Sequence, residues 1–115
     1  MADLLSLTDL PDGFSYPPEF VRVVELGLTN LEPWWIMSGG PLRDRHAGLA
    51  RRYPQRVLVP FARRQDNDDV ACWDVLGRTL VVVHDFAAPG SEDRDQYPDF
   101  YSWLRRAVED LIEFD

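Results

Sequence analysis

Three short apolar runs separated by polar turns occupy the second half of the chain, and they constrain the fold more than any other feature. Val57-Leu58-Val59-Pro60-Phe61-Ala62, Val70-Ala71-Cys72-Trp73-Asp74-Val75 and Thr79 to Phe86 are rich in β-branched and aromatic residues and have strand length. Between the first two, Arg63 to Asp69 is wholly polar and reads as a turn. Gly77-Arg78 reads as a tight two-residue turn between the second and third. Strands at 57–62, 70–75 and 79–86 joined this way form an antiparallel meander. Pro60 cannot donate to a ladder, so the first strand lies at an edge or carries a bulge.

Helical signals flank this meander. Tyr16-Pro17-Pro18-Glu19 opens a short helix, because proline fits a first turn that has no amide partner, and Gly27 is its C-terminal cap. Leu42, His46, Leu49 and Tyr53 have helical spacing until Pro54 stops the run, with Gly48 weakening it. Phe100, Trp103, Leu104, Ala107, Val108 and Leu111 give a continuous stripe over about 98–113, opened by Tyr97-Pro98. Leu31 to Met37, with Pro33-Trp34-Trp35-Ile36-Met37, fits a short strand or a buried loop. The first dozen residues read as a frayed lead-in, and Ala87 to Gln96 as loop. Strands followed by a helix that covers one face define an α+β domain with an antiparallel-dominated sheet.

A chain of 115 residues is near the commonest domain size, so a single domain over 1–115 is expected. One cysteine, Cys72, cannot form an internal disulfide, and no signal-like amino terminus is visible, so a reducing, cytoplasmic location is expected. No apolar run approaches bilayer length, and a net charge of −8 opposes general nucleic-acid binding, so neither membrane nor nucleic acid is an expected partner. The charge is unevenly placed. Seven arginines against Asp44 between Arg43 and Arg64 give +6, which leaves −14 on the rest. That basic segment is either a binding surface or internally paired.

Few side chains point to chemistry. A Cys72–His84 dyad would be the minimum for nucleophilic catalysis. A two-residue turn at 77–78 pairs Cys72 with Val83 and His84 with Ala71, which places the two on opposite faces. His46 lies on the apolar side of its helix and reads as a packed residue. Asp66-Asn67-Asp68-Asp69 lacks the glycine and distal glutamate of a calcium loop, and turn propensity accounts for its composition. One cysteine and two distant histidines make no zinc set, and no phosphate-binding or nucleotide-binding glycine motif is present. No cofactor, metal or catalytic residue is therefore expected. Trp73 and Trp103 read as core. Trp34 and Trp35 face opposite ways on a strand, so one of them can serve as a surface anchor.

The run Val57 to Ala62, the acidic turn after it, the strand Val70 to Asp74, the strand at Leu80 to Val83 and the helix opened by Tyr97-Pro98-Asp99-Phe100 together resemble the SUKH superfamily. That superfamily includes cell-wall assembly regulators and bacterial immunity proteins. The resemblance covers Val57 to Phe114 well and Pro17 to Gly27 loosely. It implies a non-catalytic protein-binding domain, with an immunity protein that neutralises a basic toxin domain as its specific form. Asp66, Asp68, Asp69, Glu92, Asp93 and Asp95, with Trp34 or Trp35 as apolar anchor, are the expected contact residues. A small Cys/His or metal-dependent hydrolase and a regulatory adaptor without a toxin partner are the alternatives.

Overall fold

The computed structural model describes residues 3–114, which form helices α1 (Pro18–Glu25), α2 (Gly39–Arg52) and α3 (Phe100–Glu113) around one sheet. Its strands are β1 (Asn30–Leu31), β2 (Trp34–Ile36), β3 (Leu58–Arg64), β4 (Asp69–Asp74), β5 (Thr79–His84) and β6 (Asp93–Tyr97). All six pair antiparallel in sequence order, so the expected three-strand meander is the centre of a six-strand one. The fold is α+β, with the carboxy-terminal helix packed against the sheet.

Pro60 is accommodated by a bulge and not by an edge. β3 lies inside the sheet, and its register on β4 shifts between Pro60 and Ala62, leaving Phe61 as the extra residue. The bulge turns Phe61 toward the same face as Trp73, and the two rings lie 4.5 Å apart. Phe20 of α1 and Phe100 and Trp103 of α3 close this aromatic cluster, in which Phe61 meets Trp103 edge-on at 4.8 Å. α1 and α3 thus cover one face. α2 takes the other, burying Leu42, Leu49 and Tyr53 against the sheet.

Several boundaries move. The lead-in is docked and not frayed: Leu5 and Leu10 are buried, the Leu5 amide donates to the Tyr16 hydroxyl, and the Gly39 amide donates to the Asp3 carbonyl. Segment 31–37 resolves into β2 and the end of β1. α1 ends as expected at Gly27, whose φ of 77° lets the amides of Gly27 and Leu28 reach the carbonyls of Val24 and Val23. The polar turn is shorter than its sequence, because Arg63, Arg64 and Asp69 are strand residues. The 77–78 turn is longer than two residues: Asp74 pairs with Thr79, so Val75 to Arg78 form the connection. Segment 87–96 is not all loop, since Asp93-Arg94-Asp95-Gln96-Tyr97 is an edge strand. With no strand beyond it among the described residues, β6 needs no apolar alternation.

α3 begins at Phe100, with Asp99 as N-cap accepting from the Ser102 amide at 2.8 Å. Its buried positions are Phe100, Trp103, Ala107 and Asp110. Val108 and Leu111, expected on the inner stripe, instead face solvent at 38% and 41% exposure.

Candidate functional site

The antiparallel order brings three connections to one end of the sheet: the β1–β2 turn, the β3–β4 turn at 65–68, and the β5–β6 connection at 85–92. The Gln65 amide donates to the Pro33 carbonyl and the Asp85 amide to the Asp68 carbonyl, tying the three together. Asp66 and Asp68 are exposed in the central turn, and Asn67 shapes it by accepting from the Asp69 amide at 2.8 Å. Asp66 holds the Arg64 guanidinium at 2.7 Å. Asp69 is partly buried, with His84 Nδ1 at 2.9 Å and Arg94 Nε at 3.6 Å. Asp95 is exposed on β6 and accepts from the Tyr97 hydroxyl at 2.8 Å.

Glu92 departs from the expected contact surface. Only 5% exposed, it accepts from Arg56 at 2.9 Å and from the Gly90 amide at 2.6 Å, so its carboxylate orders the β5–β6 connection. Burial would raise its pKa, but the Arg56 bond and the backbone amides outweigh burial and hold it below the ordinary glutamate value. Asp93 shares Arg56 at 2.5 Å yet keeps an exposed side chain. Of the tryptophans, Trp34 is buried and donates from Nε1 to Asp110 Oδ2 at 3.0 Å, while Trp35 is half-buried and donates to Gln65 Oε1 at 2.6 Å. Trp35 is therefore the one that reaches the surface.

The basic segment is largely paired internally. Arg43 binds Asp3, Arg45 and Arg52 bind Asp85, Arg56 binds Asp74, Glu92 and Asp93, and Arg64 binds Asp66 and Asp110. Among the described residues only Arg51 and Arg63 of the seven carry no carboxylate partner. Asp85 is the hub: it is fully buried, and it accepts from Arg45, from two nitrogens of Arg52 and from the Phe86 amide. Burial would raise its pKa, but those bonds reverse the shift and hold the carboxyl below its ordinary value.

Cys72 and His84 do lie on opposite faces, although the register differs from that expected by two residues. Cys72 pairs with Val81 and His84 with Asp69, and an even shift preserves the alternation. The thiol is fully buried, and burial pushes its pKa well above the ordinary value, which opposes thiolate formation. His46 is half-buried, and desolvation lowers its pKa, as fits a packed residue. Among the described residues no group of three or more acidic, histidine or cysteine side chains is placed to hold a metal ion. No described helix is long and apolar enough to cross a membrane.

A cavity of about 460 Å³ opens beside Phe14, Trp73, Arg78 and Asp99, at the opposite end of the sheet, and none of the expected site residues lines it. The sequence reading missed a different surface. α3 turns Tyr101, Val108, Leu111 and Ile112 outward, with Ile112 76% exposed. These residues repeat at helical spacing, so the helix is apolar on two sides, and the outer stripe was hidden inside the inner one. Comparison of the chain with family models, curated proteins and solved structures returned no match.

Proposed function

We propose that this chain is a non-catalytic protein-binding domain of the SUKH type that acts by stoichiometric association in the cytoplasm, with a basic toxin domain as its partner in an immunity role. The observation that carries this reading is an exposed apolar stripe on a helix that an arginine ties to a turn of exposed acids. Arg64 bridges Asp66 of the β3–β4 turn and Asp110 on the inner side of α3, which ties the helix that carries the outer stripe to the acidic turn. An apolar centre with a charged rim is the anatomy of a protein interface, and single-signed rim charge selects a partner of opposite sign. Asp66, Asp68 and Asp95 supply the acidic charge, with Asp69 half-covered behind them, while Asp93, held by Arg56, and Trp35, paired beside Arg63, face the side that α2 covers.

The burial of Cys72 and its separation from His84 support binding over nucleophilic catalysis. The test is to co-express the chain with the product of the adjacent gene. The reading expects an equimolar complex and relief of that product's toxicity. Absence of a complex would overturn it, and a complex with a harmless partner would favour the adaptor reading.

A further inference from the structure

On the face covered by α2, a groove of about 340 Å³ runs between the helix, β3 and the β5–β6 connection. Arg45, Arg51, Arg52 and Arg63 line it together with Met37 and Phe86. Asp44 and the buried Asp85 are the acids against these four arginines, so the groove carries a net +2 in a chain whose total is −8. The partners of Arg45 and Arg52 lie behind them. Arg51 and Arg63 are exposed and have no carboxylate partner among the described residues.

Phe86 makes this groove more than a charge fluctuation. It is 63% exposed, and its φ of 71° is in the left-handed region, which a bulky side chain enters only when something holds it there. Two contacts hold it: its amide donates to Asp85 Oδ1 at 2.9 Å, and the Arg52 guanidinium lies 4.1 Å over its ring. The chain thus keeps an aromatic ring in solvent, in a strained conformation, at the mouth of an arginine-lined groove. Glycine would adopt this backbone without strain.

We infer that this groove is a second recognition surface, for an acidic peptide segment of a partner protein carrying one apolar side chain. Guanidinium forks match carboxylates in pairs, and those of Arg51 and Arg63 meet no carboxylate among the described residues. The ring of Phe86 and the side chain of Met37 supply an apolar wall for the neighbouring residue. A groove of this volume holds a few side chains, whereas a long polyanion would meet the acidic charge on the rest of the surface. The inference is independent of the toxin-directed reading, whose surface has the opposite sign.

An array of heptapeptides combining two to four acidic residues with one leucine or phenylalanine tests it, followed by titration of the best binder against isotope-labelled protein. Saturable binding should shift the Phe86 amide and the Arg51 and Arg63 side-chain signals. Arg51→Glu with Arg63→Glu should weaken it about tenfold or more, and raised salt should weaken it as well. Phe86→Gly should leave the melting temperature unchanged or higher while weakening binding, a combination that a purely structural phenylalanine would not give. Failure of every peptide to bind saturably, binding untouched by the double reversal, or tighter binding of a single-stranded oligonucleotide than of any peptide would overturn the inference.

Discussion

Arg52 grips Asp85 with two hydrogen bonds, Nε to Oδ1 and Nη2 to Oδ2, both at 2.6 Å, from opposite sides of the boundary between α2 and the β5–β6 connection. This bidentate pair, shared with Arg45, replaces apolar packing at the point where the sheet face meets the helix. A buried charge is tolerable only with such satisfaction. Asp85→Ala should therefore destabilise the domain by about 2–4 kcal/mol, somewhat below the usual cost of breaking a buried pair, since both arginines retain some solvent contact. Chemical denaturation of the two proteins at neutral pH measures this.

The same pair sets an acid limit. Asp85 and Glu92 have folded-state pKa values below their unfolded ones, so their contribution is present above about pH 4 and is lost as pH falls through the folded values. Stability measured from pH 6 down to pH 2 should drop over that lower range. The drop should be shallower in Asp85→Ala, which has already lost part of the contribution.

Gly48 sits inside α2, where alanine would ordinarily improve a helix by about 1 kcal/mol. A methyl group there would lie 2.5 Å from Arg52 Nη2, and Arg52 is not free to move without releasing Asp85. Gly48→Ala should consequently fail to stabilise the domain and should lower its melting temperature.

Trp103 is 1% exposed and packs on Trp34 and Phe61, so Trp103→Ala should cost about 3–5 kcal/mol in a denaturation experiment. Cys72 should react with a thiol reagent only as fast as the domain opens. Native protein at neutral pH should stay unmodified under conditions that label the denatured chain at once.

How much of this was readable in the sequence depended on whether a signal was local. The three central strands and α3 were legible because their apolar runs are long and their periods distinct. β6 was not, because an edge strand of five polar and aromatic residues has no period to detect. The face of α3 was misassigned at Val108 and Leu111 because apolar residues occupy both sides of the helix, and nothing local ranks one side above the other. Asp110 takes the inner place instead, through long-range bonds to Trp34 and Arg64 and an i,i+4 pair with Arg106. Pairing of the arginines with Asp3, Asp85 and Glu92 was equally invisible, since the partners lie far away in the chain. The acidic turn was accessible from turn chemistry, and alternation showed that Trp34 and Trp35 face opposite ways, but which of the two is buried was decided by the long-range bond from Trp34 to Asp110. Glu92 was not separable from its exposed neighbours until its bond to Arg56 was seen.

The outer stripe of α3 gives a second handle on the proposed interface. Ile112→Asp alters a side chain that is 76% exposed, so the melting temperature should change little. Affinity for the partner should fall about tenfold or more if Ile112 belongs to the desolvated centre, as titration calorimetry would show.

The most direct test of the proposed binding surface is the association rate of the co-expressed partner that the proposal expects to be basic, measured with wild-type protein and with Asp66→Lys/Asp68→Lys, at low and physiological salt. Both side chains are exposed, and Asn67, which shapes the turn, is retained, so the fold should persist. Reversal should slow association by about tenfold at low salt and flatten its salt dependence, because it removes the steering field. Equal rates and equal salt dependence for the two proteins would contradict an acidic contact surface.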